Sequence, residues 1–582
     1  MSRERRSSIA IGVAVFIAGG VLLGLEIASS RVLAPHFGNS LYVWGALIGV
    51  VLAGLSTGYW LGGVLADRWP QPRLLVGLLG AGALMVLAIP FVDGWMLDRV
   101  VDWDPGPRLN PLVATIVLFG VPSVVLGTVS PVAVRLKARS LEHLGRTAGR
   151  LFAVSTAGSI AGTFLTAFWL IPELGTDQVL ASAAVALLLA AAAVAVVERL
   201  AGALALALAL AGISVGAVVS LAPESGATVS ASQLRNWSPV YRQQAPDDRL
   251  GSIEDTQSGY KIVHTKDSQY HRIAVVEDDT TRYLRFDSSF QSGMYKDDPF
   301  KTRFEYSDYL QLPVAYRRET TKVLYVGLGG GSAPKRAWRD FPGMQIDVVE
   351  LDPEVVSAAY KYFAMPRDPR LKVEAEDGRR FLARNEGPWD VIVVDAFYSD
   401  SIPFHLATRE FLELARSRLA PGGLVATNII GAVKGRDSRL FRSMLRTYRA
   451  VFPTVNIHPV LEVGDKDLGA IRNVILVAGE GAAPSKDFLL ERWRDVRRDS
   501  PGAPDLADAI RDRVDAPVST ADVPVVVLTA ETAPHVIERV HELGVAGLFV
   551  KPFHPGAVAE FVRNVIGGLA AEKGHAAGGH AF

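Results

Sequence analysis

The pattern of apolar and polar positions changes near residue 222. Before it, apolar runs of about twenty residues, each long enough to cross a bilayer, occupy positions 9–28, 41–61, 74–92, 111–132, 151–171, 179–197 and 200–221. These predict a multi-pass α-helical membrane domain of about seven helices over residues 1–221. After it, charged residues recur every few positions. Residues 222–257, rich in Pro, Ser, Gln and Asp, read as a linker. Alternating segments at 260–265, 271–277 and 281–286, with Asp278-Asp279-Thr280-Thr281 as a turn, predict a small antiparallel β lid over 258–318. From Lys322, strands at 322–326, 345–350, 371–374, 391–394 and 424–428 alternate with helical stretches at 332–340, 353–362, 379–385, 408–419 and 437–452. That alternation predicts a doubly wound, Rossmann-like α/β sheet over 319–480. A C-terminal extension (481–567) and a disordered tail (568–582) complete the chain.

Composition sharpens this division. Hydrophobic residues make up 49% of the chain, and the formal net charge is zero. Nothing global therefore points to nucleic acid; the basic clusters sit between apolar runs, where a lipid bilayer is the expected partner. The absence of Cys excludes disulfides, thiolate metal sites and Cys nucleophiles, and no metal is expected. Arg3, Arg5 and Arg6, Arg68 and Arg73, and Arg135, Lys137, Arg139, Arg146 and Arg150 fall on one side of the spans, with Asp93, Asp98, Asp102 and Asp104 on the other. The N-terminus is therefore expected in the cytoplasm. Seven spans would place the later domain outside. The last two are separated only by Glu198-Arg199-Leu200, and if one fails to span, the domain returns to the cytoplasm; a cytoplasmic domain is the expectation. Gly45, Gly49, Gly54, Gly58 and Gly62 give the second span a small-residue face suited to close helix packing. Glu26, inside the first span, has Arg31 as a candidate partner.

The candidate chemistry starts at the first strand of the α/β region. Gly327, Gly329, Gly330 and Gly331 follow it and allow a tight turn with close backbone approach to a ligand. Glu350 ends the second strand, where a carboxylate can take both ribose hydroxyls. Asp377 and Gly378 follow the third, placed to bond an adenine amino group. Asp395 ends the fourth, at the carboxyl edge where open sheets bind ligands. Three acids at the ends of three successive strands, after a glycine turn on the first, read as a nucleoside site.

The ordered motifs Ser268-Gln-Tyr-His-Arg272, Phe286-Asp-Ser-Ser-Phe-Gln291, Phe304-Glu-Tyr-Ser-Asp308, Gly329-Gly-Gly-Ser332, Val349-Glu-Leu-Asp352, Glu376-Asp-Gly378 and Asp390-Val-Ile-Val-Val-Asp395 resemble the spermidine synthases, or polyamine aminopropyltransferases. With Asp395-Ala-Phe-Tyr-Ser-Asp-Ser-Ile-Pro403 and His405-Leu-Ala-Thr408, the similarity is to the bacterial membrane-fused form. The resemblance spans roughly 258–480. It implies a class I methyltransferase-like fold, an inner-membrane location, decarboxylated S-adenosylmethionine as co-substrate, a polyamine acceptor such as putrescine, and a possible homodimer. It also implies Asp395 and Asp400 as catalytic acids, and Gln291, Tyr306, Asp308 and Tyr398 as substrate-binding residues. Gly327, Gly329, Gly330, Gly331, Glu350, Asp377, Gly378 and His271 would bind the donor. The chain departs from the soluble enzymes at Ser332, where they carry Asp, at His271, where they carry Gln, and at Tyr398, where their second catalytic-loop Asp stands. An S-adenosylmethionine-dependent methyltransferase, and a non-catalytic membrane sensor or transporter of polyamines or nucleosides, are the competing readings. Residues 523–566 resemble the second half of a response-regulator receiver, with Thr529 and Lys551 at switch positions. No phosphoacceptor Asp stands upstream.

Overall fold

The computed structural model describes residues 2–37, 41–103, 105–106, 108–138, 144–220, 228–229, 260–287, 289–317, 319–397, 402–461, 465–520, 526–529 and 547–550. Seven helices are long and apolar enough to cross a membrane: α1 (Arg3–Ala34), α2 (Tyr42–Arg68), α3 (Pro72–Val100), α4 (Leu109–Lys137), α5 (Leu144–Leu174), α6 (Thr176–Glu198) and α7 (Ala201–Ser220). α4 and α5 each contain a π-helical turn, Ile116–Gly120 and Thr166–Leu170, just before Pro122 and Pro172. A proline has no N–H to donate, and the wider turn absorbs the gap in the ladder.

Small residues set the helix contacts. Of the glycine face of α2, Gly54, Gly58 and Gly62 press on Ser123, Gly127 and Thr128 of α4, whereas a side chain added at Gly45 or Gly49 would meet no other element within 4 Å. A second close crossing brings Gly19 and Gly20 of α1 onto Ser155, Gly158 and Gly162 of α5. Both members of the last pair, α6 and α7, form, so the count is odd. The start of α1 and the end of α7 then lie at opposite ends of the bundle. Arg3 reaches Glu198 at 3.6 Å and Arg135 reaches Asp67 at 3.3 Å, which gathers the Arg-rich helix ends together. Arg31 does not pair with Glu26. Its guanidinium donates to carbonyls of residues 268–270, beyond the other end of the bundle.

Beyond the bundle lies an antiparallel sheet of β1 (Thr228–Val229), β2 (Tyr260–Asp267), β3 (Arg272–Glu277), β4 (Thr281–Phe286) and β5 (Ser289–Tyr295), in sequential order. The sequence reading included β2 to β4 and missed β5, whose Ser, Gln and Gly residues have low β propensity. The main sheet comprises β6 (Lys322–Val326), β7 (Gln345–Glu350), β8 (Leu371–Ala375), β9 (Trp389–Val394), β10 (Leu419–Gly431), β11 (Thr454–Pro459) and β12 (Arg472–Gly479). Their order is β11-β12-β10-β9-β6-β7-β8, with β12 antiparallel to both its neighbours. Helices α8 (Ser332–Asp340), α9 (Pro353–Tyr362), α10 (Gly378–Arg384), α11 (Arg409–Ser417) and α12 (Arg439–Val451) alternate with the strands. Two apolar clusters fill the two faces, one around Val323, Tyr325 and Val391, the other around Leu324, Ile392 and Val425. This is the Rossmann-like arrangement the alternation predicted, in the methyltransferase-like form the resemblance implied. The chain runs outward from β6 to β8 and then returns to the other side of β6 as β9. The carboxyl ends of β6 and β9 thus flank the switch point where such sheets bind ligands.

β11 and β12 extend the five expected strands. β11 hides behind its polar residues: Asn456 Nδ2 donates to the Val477 carbonyl at 3.3 Å, and buried His458 lies 2.7 Å from the Tyr316 hydroxyl and 2.8 Å from the Ala509 carbonyl. After β12, α13 (Lys486–Asp499) packs Leu489 and Trp493 into the core of the main sheet. β13 (Val526–Thr529) and β14 (Gly547–Val550) pair in parallel. The rest of the receiver-like segment, with Lys551, and the tail lie outside the described residues.

Candidate active site

β6 delivers the chain into the glycine turn at the switch point. Gly327 has φ +103°, and a side chain there would run into the backbone of Asp395 and Ala396, so the turn passes directly over the end of β9. Gly330 N–H donates to Ser292 Oγ at 2.8 Å, which ties the turn to β5 and brings Gln291 to the cavity edge. The small sheet is held there by Val275, Leu284 and Phe286, which pack on Val355, Ala358 and Phe363 of and just beyond α9.

Each acid at a strand end has defined partners. Glu350 accepts from Leu328 N–H at 2.9 Å and from Asp352 N–H at 3.0 Å, one bond per carboxylate oxygen. A carboxylate has about four acceptor sites, which leaves lone pairs for two hydroxyls. Burial pushes Glu350 above the ordinary carboxylate range, against those two N–H bonds. Asp377 caps α10 by accepting from Arg380 N–H at 2.9 Å, and its other oxygen lies 2.9 Å from His405 Nε2. Asp395 is raised to about 6 by burial, with Asn428 Nδ2 donating to it at 2.9 Å. Asn428 is in turn fixed by Asn473 Nδ2 at 3.0 Å.

One cavity is bordered by Gly327, Gly329, Glu350, Asp377, Gly378 and Asp395 from the main sheet, and by His271, Gln291 and Tyr306 from the other side. Gly330 and Gly331 complete the turn without bordering it. The His271 ring stacks on Phe286, with centroids 4.3 Å apart and planes 7° from parallel. Tyr306 sends its hydroxyl toward the Gln291 carbonyl at 3.4 Å. Asp308 does not border the cavity. It pairs with Arg336 at 3.1 Å, and Arg336 also holds Asp340. The resemblance implied a substrate-binding role for Asp308 and gave no sign of that partner, which comes from α8. Tyr398 and Asp400 lie outside the described residues.

Sequence reasoning gave no role to three residues that the geometry brings in. His405 touches Asp377, and its only signal was the His405-Leu-Ala-Thr408 motif. Asn428 lies on β10 just past its last pairing with β9, beside Asp395, a placement that strand register alone reveals. Ser292 reaches the glycine turn from the unpredicted β5.

Residues 304–461 match the model of the spermine/spermidine synthase domain. The domain belongs to the spermidine synthase family. Among relatives of this spermidine synthase-family domain, a polyamine aminopropyltransferase of Vibrio vulnificus is 32% identical over 201 residues, 33% of this chain and 65% of the relative's length. The chain thus spans a little under two thirds of that relative. A human eEF1A lysine and N-terminal methyltransferase is 31% identical over 163 residues, covering 26% of this chain and 22% of that one. A crystal structure of a probable spermidine synthase from Corynebacterium glutamicum aligns with 41% of this chain and 94% of its own at 22% identity, with a TM-score of 0.36. The relatives named aminopropyltransferases are transferases by name. Within the spermidine synthase-family domain no group of His, Asp or Glu able to hold a metal ion occurs among the described residues.

Proposed function

We propose that this chain is a membrane-bound aminopropyltransferase, which moves an aminopropyl group from decarboxylated S-adenosylmethionine to a diamine such as putrescine. The observation that carries the reading is Asp395. It is a carboxylate raised to about 6, at the switch point and in one cavity with the nucleoside-type acids Glu350 and Asp377. The glycine turn and the two acids fit a nucleoside: bare backbone at Gly327 for close approach, Glu350 lone pairs for ribose hydroxyls, and the Asp377–His405 pair at the base end.

In the reaction, the acceptor nitrogen attacks the methylene carbon beside the sulfonium. A C–N bond forms, the C–S bond breaks, and methylthioadenosine leaves as a neutral thioether. The acceptor must first surrender an ammonium proton, and Asp395 is the group to take it. A carboxylate near 6 is a stronger base than one near 4, and so closer to what general-base catalysis of an amine requires. Before it takes that proton, its negative charge also attracts the cationic acceptor. Gln291 and Tyr306 close the cavity opposite the glycine turn and position the two substrates in line.

A methyltransferase is the second reading, favoured by the 31% identity to the human methyltransferase, since the same turn and ribose acid would hold S-adenosylmethionine. The purified full chain, incubated with decarboxylated S-adenosylmethionine and a panel of diamines, is expected to release methylthioadenosine. Release of S-adenosylhomocysteine from S-adenosylmethionine instead would replace the proposal with methyl transfer. Nucleoside binding without either product would replace it with a sensor.

A further inference from the structure

The turn between β2 and β3, residues 267–272, is gripped from two sides. On the cavity side, buried Ser268 organises it: Ser268 Oγ accepts from Tyr270 N–H at 3.0 Å and His271 N–H at 2.9 Å, and donates to Asp352 Oδ2. Asp352 caps α9 through Glu354 N–H at 2.9 Å, and its own N–H donates to Glu350 at 3.0 Å. The turn is therefore two hydrogen bonds from the ribose acid. Its last residues carry His271, which borders the cavity itself.

On the bundle side, Arg31 near the end of α1 donates to three successive carbonyls of the turn, Ser268 at 3.3 Å, Gln269 at 2.5 Å and Tyr270 at 2.9 Å. Thr176, the first residue of α6, donates from N–H at 2.8 Å and from Oγ1 at 2.7 Å to Asp267. Burial works against the charge on Arg272, and the combined field of Asp267 and Asp287 from the small sheet and Asp177 and Asp93 from the bundle outweighs it and raises its pKa. A docking contact alone would need no such order. Here one cation spans consecutive carbonyls of the segment that ends in a cavity residue, and a carboxylate at its other end is fixed by a helix N-terminus.

We infer that the helical bundle forms part of the nucleoside site by clamping this turn, with Arg31 as a positioning residue for the wall that carries His271. The inference rests on the reading of the cavity as a nucleoside site, and it gives the membrane half a role in the reaction. A planar guanidinium can serve three carbonyls at once because its five N–H donors lie in a fixed fork, which an ammonium lacks. A relative shift of α1 and α6 by about an ångström would displace the wall, a scale on which catalytic geometry is sensitive.

The test uses the full chain in detergent, with methylthioadenosine binding measured by calorimetry and donor and acceptor KM measured separately. Arg31→Gln is expected to weaken methylthioadenosine about tenfold and raise donor KM by the same factor, with acceptor KM unchanged and amides 268–271 exchanging hydrogen faster. Arg31→Lys should recover part of the loss. Arg99→Gln, at the same end of the bundle but stacked on Trp95, should behave as wild type. Unchanged nucleoside binding in Arg31→Gln, or equal weakening in Arg99→Gln, overturns the inference alone. Failure of the wild-type chain to bind methylthioadenosine or S-adenosylhomocysteine overturns the nucleoside reading and the inference with it.

Discussion

Asp395→Asn should abolish transfer and stabilise the fold, and the two effects come from one cause. Burial raises Asp395 from 3.8 to about 6 in the folded chain, so the folded state favours the protonated acid. Between those values the native chain binds more protons than the unfolded one, and stability falls as pH rises. At 1.36 kcal/mol per unit of pKa, burying this carboxylate costs the fold on the order of 3 kcal/mol at pH 8, where it is ionised folded and unfolded, and less at pH 5, where the folded chain keeps it protonated. Asparagine carries no charge, and its carbonyl oxygen can still accept from Asn428. The variant is therefore expected to gain stability over wild type, and to gain more at pH 8 than at pH 5. Hydrogen exchange at the amides of β9 reads the opening free energy of this domain within the full chain. Activity should fall by a factor of about 10² to 10⁴, the usual loss on removing a general base, and wild-type kcat/KM should rise with pH through about 6 to a plateau. A variant with wild-type turnover, or one destabilised at pH 8 relative to pH 5, would refute the assignment of Asp395 as a buried, ionised base.

His405→Ala removes the partner of Asp377 and should weaken methylthioadenosine about tenfold, the scale of one charge-assisted hydrogen bond; titration calorimetry checks it, and His405→Gln should lose less. Gly327→Ala forces a side chain into the backbone of Asp395 at φ +103°, so it should eliminate nucleoside binding and speed exchange at both β6 and β9. Burial lowers Lys335 from 10.5 to about 7 while its Nζ donates to the Phe363 carbonyl at 2.7 Å. The unfolded chain thus holds a proton the folded one lacks between those values, and wild-type stability should climb from pH 7 to pH 10 by up to about 1.4 kcal/mol per unit; Lys335→Met should flatten that slope in denaturant titrations. A reporter fused after Phe582 should give signal only on the non-cytoplasmic side, if the Arg-rich helix ends face the cytoplasm.

What could be read from the sequence is what repeats or punctuates. β6 to β10 were legible because a buried parallel strand is a short apolar run and the helices between them are amphipathic. The glycine turn, Glu350 and Asp395 were legible because each ends or directly follows such a run, whereas β8 before Asp377 is a largely exposed edge strand with alternating polar residues. Asp308 was misplaced because an acid near a motif looks the same whether it faces a ligand or, as here, Arg336 on another helix. His405 and Asn428 carried no periodic signal: each matters only because a different strand end brings Asp377 or Asp395 beside it. Arg31 was the largest departure. An arginine at a span's end reads as an interfacial anchor or a partner for Glu26, and only the docked domain offers it three carbonyls more than 230 positions away.

The charge on the bundle and the supply of substrate make opposite demands. Arg3, Arg5, Arg6, Arg68, Arg73, Arg135, Lys137, Arg146, Arg150 and Arg199 gather at one end, whereas the end that meets the β2–β3 turn has Arg31, Arg99 and Arg108 against Asp93, Asp98, Asp102 and Asp177. Positive charge retains helix ends in the cytoplasm, so the nucleoside cavity is expected on the far side. A nucleoside sulfonium and a diamine are both cations, and the cost of a charge in hydrocarbon bars them from crossing unaided. Transfer on that side therefore requires both substrates to be delivered there. The opposite orientation would supply them freely but would carry the arginine clusters across the bilayer. Chemistry in the cavity is indifferent to the choice, because Glu350, Asp377 and Asp395 are fixed by the α/β sheet. Product release by the purified chain and the side of the reporter are therefore separate tests, and a cytoplasmic reporter signal with methylthioadenosine release would mean that these charges do not set the topology.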